Sequence, residues 1–291
     1  MKHVTIDSVP ESYRLGFFGD LHFAVKGFPM ELVKRAIRKV RASKHYYLAL
    51  GGDMIDSMLP SDPRYIVGQY MGKLERVGEQ ARGVVEILEP VADRILWGIQ
   101  GNHERRVLNT IDVTKRLILE PLGVEVYGPD EDSSYLLKAQ LGDLRVLDWH
   151  GSGMVRSNAN DDYIMEENER RSVKKKLRRL PGDDCELLVM HHIHKMRVVP
   201  PSKPNILKLV SHKGELKAVY PTPSRKYIDD EKYYYDIDDR WYASSGAFFP
   251  NYVEGSSSYG EVYGFRPTEM GWVTMLVEDG VIKDVYKEVF G

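Results

Sequence analysis

Short apolar runs that end in glycine, aspartate or histidine recur along the first two thirds of the chain. They are four to six residues long and lie at Tyr13–Phe18, Tyr46–Leu50, Ile95–Ile99, Leu144–Trp149 and Leu187–Met190. Runs of this length bounded by turn-forming residues are typical of strands buried on both faces. The pattern therefore predicts five core strands, each followed by polar side chains.

Stretches with apolar residues at helical spacing separate these runs. Helices are predicted over Pro29–Val40, Tyr65–Leu88 and Val107–Leu119. Because strands and helices alternate, we expect an α/β core over residues 1–195. From Met196 onward the pattern changes to proline-rich turns and short strands. We expect residues 196–291 to be a β-rich C-terminal part that either completes the fold or forms a small cap.

Side chains able to bind metal follow the predicted strands. They include six of the nine histidines: His22, His103, His150, His191, His192 and His194, together with Asp20, Asp53 and Asn102. Ligands of α/β sheets bind beyond the carboxyl ends of the strands, where residues distant in sequence meet. In extended backbone, residues two apart point to the same side. We therefore expect each of two pairs, Asp20 with His22 and His192 with His194, to reach one metal centre or two adjacent ones.

The composition narrows the kind of metal site and partner. Cys185 is the single cysteine, so neither a thiolate site nor an intramolecular disulfide can form. Carboxylate, imidazole and amide ligands suit Mn²⁺, Fe²⁺ or Zn²⁺, and candidate ligands too numerous for one tetrahedral ion suit two ions that share a carboxylate. With 41 Lys and Arg against 43 Asp and Glu, no global positive field exists. No apolar run is long enough to span a bilayer, and we expect a cytoplasmic protein without a membrane partner.

Five motifs in order resemble the motif set of the calcineurin-like metallophosphoesterases. They are Asp20-x-His22, Gly52-Asp53-x-x-Asp56, Gly101-Asn102-His103-Glu104, His150-Gly151 and His192-x-His194. The resemblance spans roughly residues 13–195. It implies two packed mixed β-sheets flanked by helices, in a sandwich that holds two divalent ions. Mn²⁺ is the first expectation, with Fe, Zn or Ni as alternatives.

The resemblance also implies a role for each residue. Asp20, His22 and His194 would bind the first metal, Asn102, His150 and His192 the second, and Asp53 would bridge both. His103 would be the catalytic residue, stabilising charge on the phosphoryl oxygen or protonating the departing oxygen, while a hydroxide between the metals attacks phosphorus. Asp56, Glu104 and Asp148 would orient the ligands.

Two positions depart from the family pattern. The family has glycine before the final His-x-His motif, whereas this chain has His191, and a side chain there must find room. Ser57 follows Asp56 where the protein Ser/Thr phosphatases of the family have arginine, whose fork-like guanidinium grips phosphate. The missing arginine argues against a protein phosphatase.

A basic segment at residues 170–179 suggests a polyanionic partner. Its seven Lys and Arg side chains accompany apolar residues at helical spacing. A solvated amphipathic helix that covers the sheet is one interpretation. The other is a helix beside the site that attracts nucleic acid.

The sequence thus predicts a metal-dependent phosphoester hydrolase that prefers phosphodiesters. A DNA or RNA nuclease similar to the Mre11 branch of the family and a phosphomonoesterase are the alternatives within the enzyme class. A metal-bound scaffold for protein partners is the alternative without turnover. The sequence does not indicate the oligomeric state.

Overall fold

The computed structural model describes residues 1–58, 65, 70–71, 74, 76–201, 239–253, 264 and 266–290, and the backbone of four short strands between residues 208 and 234. The helices are α1 (Met30–Ala42), α2 (Val77–Leu88), α3 (Asn102–Arg105) and α4 (Asp162–Leu177), with a 3₁₀ segment at Glu89–Arg94 and a π-helical segment at Val113–Leu119. The strands are β1 (Lys2–Ile6), β2 (Tyr13–Phe18), β3 (Tyr46–Leu50), β4 (Ile95–Gly98), β5 (Leu136–Leu141), β6 (Leu144–Trp149), β7 (Leu187–Met190), β8 (Arg197–Val199), β9 (Lys208–His212), β10 (Glu215–Val219), β11 (Lys226–Tyr227), β12 (Tyr233–Tyr234), β13 (Trp241–Ser244), β14 (Gly271–Glu278) and β15 (Val281–Val289).

Two mixed sheets form the body of the fold. Sheet A has the strand order β1-β5-β6-β7-β13-β8, and sheet B has the order β15-β14-β2-β3-β4. In sheet B, β2, β3 and β4 are parallel, whereas β14 pairs antiparallel with β2, with Val273 opposite Phe17. In sheet A, β6, β7 and β13 are parallel. The predicted pair of mixed sheets is confirmed.

The apolar core has three parts, which correspond to the layers of a sandwich. Between the sheets, Phe17 and Trp97 of sheet B pack with Val146 and Val189 of sheet A. A second cluster lies between sheet B and the helices α1 and α2. The third includes Val173 of α4 on the outer face of sheet A. Burying strands on both faces explains why their sequences are continuous apolar runs.

The predicted strands match closely, and the predicted helices match in part. Four of the five core strands have the predicted bounds, and β4 ends one residue early, at Gly98. Of the helix predicted over Tyr65–Leu88, the part from Val77 is observed as α2, and the described residues before it, such as Tyr70 and Met71, are not helical. Residues 66–69, 72–73 and 75 of that stretch lie outside the described residues. The helix predicted over Val107–Leu119 is also too long, because only the π-helical segment from Val113 is regular.

The C-terminal part contributes to both sheets. Strands β8 and β13 pair within sheet A, while β14 and β15 lie in sheet B. Two further antiparallel ribbons, β9–β10 and β11–β12, lie between β8 and β13 in the chain. Residues 202–207 and 220–225 lie outside the described residues. Among the described residues, no helix has the length and apolar character needed to cross a bilayer.

Candidate metal centre

The predicted ligands converge at one end of the sandwich, just beyond the strands that precede them. Three groups of side chains place their ligand atoms within 4.8 Å of one another: Asp20 with His22 and His194, Asp53 with His150 and His192, and His22 with Asp53 and His103. We call the first group the first ligand set. The second group together with Asn102 is the second ligand set.

Asp53 lies between the two ligand sets. Its Oδ2 is 3.8 Å from Nε2 of His22 and 3.3 Å from Nε2 of His150. The other oxygen, Oδ1, accepts the backbone N–H of His103 at 2.8 Å. The same carboxylate oxygen, Oδ2, therefore faces one histidine of each set, which is the position expected of a bridging ligand.

The remaining side chains of each set contact each other in the same way. In the first set, Nε2 of His194 lies 3.2 Å from Nε2 of His22 and 3.5 Å from Oδ1 of Asp20. In the second set, Oδ1 of Asn102 lies 2.7 Å from Nδ1 of His192 and 3.1 Å from Nε2 of His150. Donor atoms of each set thus point toward a common space.

The backbone at these ligands is left-handed, which corrects the sequence argument. The angle φ is 49° at Asp20, 47° at His22, 73° at His192 and 55° at His194. Asp20 and His22 face one ligand set, whereas His192 and His194 belong to the two adjacent sets, and the extended backbone assumed for both pairs is wrong. Non-glycine residues adopt this conformation at a cost that surrounding contacts must offset, and such strain concentrates at functional sites.

The residues present fit divalent cations. Oδ1 of the fully buried Asp20 has no hydrogen-bond partner within the described part of the chain, so it is free to bind an ion. Burial alone would raise the pKa of Asp53, but the nearby histidines His150 and His103 hold it well below its usual value. Burial lowers the pKa of His150 and Asp53 raises it, with a net rise to about 10. The pocket therefore favours positive charge beside Asp53. A metal cation can supply that charge, just as a proton on a histidine can.

His103 lies beside the two ligand sets and forms the third group with His22 and Asp53. Its Nδ1 donates to the carbonyl oxygen of Asp56, so Nε2 carries the lone pair and lies 3.9 Å from Oδ2 of Asp53. The guanidinium of Arg106 runs along the ring, with nitrogens 3.1 and 3.4 Å from Nδ1 and Nε2. Burial lowers the pKa of His103 to about 4, and the effect of Asp53 in the opposite direction does not compensate.

Buried side chains hold the loop that carries Asp53. The carboxylate of Glu104 accepts the backbone N–H groups of Asp53, Met54, Ile55 and Gly101 at 2.7 to 3.2 Å. Asp56 lies 3.3 Å from Nδ1 of His22. These contacts agree with the predicted orienting roles of Glu104 and Asp56, because they fix the backbone and one imidazole ring of the site.

The sequence analysis missed two residues of this support. Oε1 of Gln80, on α2, accepts the backbone N–H groups of Asp56 and Ser57, both at 3.1 Å. The hydroxyl of Tyr70 donates to Oδ2 of Asp56 at 2.9 Å. Neither residue belongs to a motif. The only signal was that Gln80 is a polar residue on the apolar face of a predicted helix.

No protein-family model matches the chain, and no curated protein matches it. Among solved structures it is similar to YfcE, a phosphoesterase from E. coli, at 14% identity and a TM-score of 0.39 over 94% of this chain and 98% of that chain. It is also similar to GAP50, the anchor in the inner membrane complex of Plasmodium, at 11% identity and a TM-score of 0.40 over 97% of this chain and 90% of that chain. A single mutant of Vps29 from Entamoeba histolytica matches at 9% identity and a TM-score of 0.37, over 96% of this chain and 99% of that chain.

These scores are too low to carry a functional argument, which therefore rests on the chain's own motifs and on the gathering of their side chains. The chain resembles the calcineurin-like metallophosphoesterases. Its motif histidines and carboxylates surround a space suited to divalent ions.

The two departures from the family pattern are accommodated differently. Ser57 is buried, and its hydroxyl donates to the carbonyl oxygen of His103, so it supports the backbone. His191 is also buried, and its Nε2 lies 3.0 Å from Oδ1 of Asp148. Asp148 was expected to orient a metal ligand, but its observed imidazole partner is His191. His191 thus belongs to neither ligand set.

The basic segment forms the second half of α4. Val173 and Leu177 are buried against sheet A, which agrees with the interpretation of a covering helix. Nζ of Lys176 donates to the carbonyl oxygen of Ser152 at 2.9 Å, in the loop that follows His150. The helix therefore contacts the border of the metal centre.

Proposed function

We propose that this chain is a dinuclear-metal phosphoester hydrolase that cleaves phosphodiesters in preference to phosphomonoesters. The observation that carries the proposal is the position of Asp53 Oδ2, which faces His22 of one ligand set and His150 of the other. A carboxylate shared by two ions is the arrangement of two-metal hydrolases, in which ions about 3.5 to 4 Å apart act on one phosphoryl group.

Each ligand set would hold one ion. Asp20, His22 and His194 would hold the first, Asn102, His150 and His192 the second, and Asp53 would contact both. When bound, such ions lower the pKa of water and offset negative charge on phosphoryl oxygens. Mn²⁺ is the ion that we expect, and Fe, Zn and Ni are the alternatives that the ligand types allow.

His103 would act on the departing oxygen. Its ring is oriented by the hydrogen bond from Nδ1 to the Asp56 carbonyl, which leaves Nε2 toward the ligand sets. With a pKa of about 4 this imidazole is neutral at pH 7. Because a bound phosphoester brings negative charge, it raises the pKa of His103, and Nε2 can then take up the proton that it gives to the leaving group.

Two observations support a preference for diesters. The position after Asp56 has no arginine, and Ser57 there is turned to the backbone of His103, so this position offers no charged fork to the two free oxygens of a monoester. The basic segment of α4 borders the site through Lys176 and Ser152. Both features suit a phosphodiester, whose phosphate carries one negative charge and an ester substituent on each side.

The test is hydrolysis of bis(4-nitrophenyl) phosphate and 4-nitrophenyl phosphate by metal-stripped protein, before and after addition of Mn²⁺. We expect Mn²⁺-dependent cleavage with the diester preferred. Asp53→Asn should abolish turnover, because the amide loses the charge shared by both ions. Asp130→Asn, on an exposed turn, is the matched control. Full activity of Asp53→Asn would refute the mechanism, a monoester preference would redirect the substrate class, and two bound ions without turnover would favour the scaffold alternative.

We further propose nucleic acid as the polyanionic partner of the basic segment. Lys175, Arg178 and Arg179 are exposed there. Replacing these three residues by Gln should flatten the salt dependence of DNA or RNA binding, because fewer counterions are released. An unchanged slope would remove nucleic acid from the proposal and leave the hydrolase intact.

A further inference from the structure

His191 fills a space between the two loops that carry the carboxylate ligands. Its side chain is fully buried. A Cβ atom added at Gly51 would lie 2.0 Å from its Cε1, and one added at Gly19 would lie 2.9 Å from its Nδ1. Gly19 directly precedes Asp20, and Gly51 lies two residues before Asp53. The imidazole ring therefore takes the place that side chains on these loops would otherwise need.

A line of buried hydrogen bonds connects His191, through sheet A, to sheet B. Nε2 of His191 lies 3.0 Å from Oδ1 of Asp148, on β6 of sheet A. Oδ2 of the same carboxylate accepts the indole N–H of Trp97 at 2.8 Å, and Trp97 belongs to β4 of sheet B. All three side chains are fully buried. Since an ionised carboxylate only accepts, Nε2 of His191 is the donor of its bond.

This line is attached more directly to the second ligand set than to the first. His191 adjoins His192 in the chain, and its ring packs on Gly51, whose carbonyl oxygen lies 2.7 Å from Nδ1 of His150. Asp148 lies two residues before His150. The first set is reached through Gly19, the neighbour of Asp20, and through the backbone N–H of His192, which donates to Oδ2 of Asp20 at 2.9 Å.

We propose that His191 is a positioning residue for the second metal. It stands where related motifs have glycine. Bonded to Asp148, and through Asp148 to Trp97, it holds Gly51 and His192 in place. In this position His150 and His192 both meet Asn102. The inference rests on the proposed dinuclear centre. Its consequence is unequal support: this buried line holds two ligands of the second ion, His150 and His192, but touches the first set only at Gly19 and at one bond to Asp20.

The test measures Mn²⁺ binding to the metal-stripped full chain by titration calorimetry. Losing partners that orient metal ligands typically costs about 10- to 100-fold in metal affinity. We expect His191→Gly to weaken one of the two ions by about this factor and to change the other far less. Asn102→Ala removes a ligand of the second ion. In this variant, a further His191→Gly substitution should change the affinity of the remaining ion little.

Electron paramagnetic resonance supplies a readout that a general loss of stability would not reproduce. Two Mn²⁺ ions that share Asp53 give a spin-coupled signal. In His191→Gly, one equivalent of Mn²⁺ should bind as in the unaltered chain, while the coupled signal should need about 10- to 100-fold more free Mn²⁺. His191→Asn, which keeps a donor toward Asp148, should recover part of the difference.

Two further variants keep the test decisive. If His191→Gly does not fold, Trp97→Phe keeps an aromatic ring, removes the N–H that bonds Asp148 at the cost of a small cavity, and should weaken the same ion to a smaller extent. Tyr46→Phe is the matched control, because it removes an equally buried hydroxyl bonded to Thr274 at 2.6 Å, away from the ligands. It should lower the melting temperature without changing the affinity for either ion.

Equal weakening of both ions, or no change in either, would overturn the positioning role. Binding of fewer than two ions by the unaltered chain would overturn it as well. Metal binding is read directly, so an absence of phosphoester hydrolysis would contradict the proposed function and leave the inference about His191 standing.

Discussion

At the scale of single residues, the identity of the candidate ligands was predictable from the sequence and their geometry was not. Histidine and aspartate directly after buried strands are a strong signal, because strand ends are where α/β folds bind ligands. The left-handed backbone of Asp20, His22, Asp53, His192 and His194 leaves no mark in the sequence. These conformations depend on contacts such as those of Glu104 with the Asp53 loop, which form only in the folded chain.

A prediction at this scale separates catalysis from metal binding. His103→Ala should lower kcat by about 10²- to 10⁴-fold, the usual contribution of a general acid. Metal affinity should persist, because the bond that His103 gives to Asp53 comes from the backbone N–H, which alanine keeps. Steady-state kinetics with calorimetric Mn²⁺ titration checks both, and the exposed His45→Ala is the control. Loss of metal in His103→Ala would show that this residue is a ligand.

At the scale of elements, the strands that the sequence analysis missed differ in pattern from those it found. β5 alternates between half-buried and buried residues, and β1 alternates between half-buried and exposed ones. Neither is a continuous apolar run ending in a ligand. The predicted helices failed for another reason, since apolar spacing at Val107–Leu119 also fits a turn followed by a π-helical segment. Periodicity identifies a buried face but not the hydrogen-bonding pattern behind it.

The docking of α4 on sheet A gives a prediction about stability. Glu169 of α4 is 1% exposed and pairs with Lys195 and Arg197. Removing one partner of a buried ion pair costs about 3 to 5 kcal/mol, because it leaves charge without compensation. Glu169→Gln should therefore lower the free energy of unfolding by up to that amount.

Urea denaturation followed by circular dichroism measures this loss. The matched control is Glu167→Gln on the same helix, where the pair with Arg171 is exposed and worth about 0.3 to 0.5 kcal/mol. Equal effects of the two substitutions would contradict the importance of the buried pair.

At the scale of the whole molecule, each ligand set draws on both sheets. Asp20 and His22 follow β2 of sheet B, whereas His194 follows β7 of sheet A. In the second set, Asn102 follows β4 of sheet B, and His150 and His192 follow β6 and β7 of sheet A. The two-sheet architecture was predictable because it came with the motif resemblance. The strand order within each sheet was not, since distant pairings carry no local signal.

Metal removal should consequently destabilise the entire sandwich. A ligand that binds only the folded state stabilises it by about 2.7 kcal/mol at 100 times its dissociation constant. Two ions should therefore raise the melting temperature, and a chelator should lower it. Differential scanning calorimetry with and without Mn²⁺ checks this, with Asp53→Asn expected to show little response. An identical melting temperature with and without metal would contradict the binding of ions between the sheets.

The pairing of β14 with β2 has a consequence for synthesis on the ribosome. β2 leads directly to Asp20, yet one of its two neighbours in sheet B is β14, at residues 271–278. The backbone N–H of Phe248 also donates to the carbonyl oxygen of Asp20, at 3.1 Å. The edge of β2 therefore stays unpaired while more than two hundred later residues are translated. In a nascent chain that apolar edge gains its partner strand only after β14 has been synthesised, so the proposed metal centre is expected to form only then.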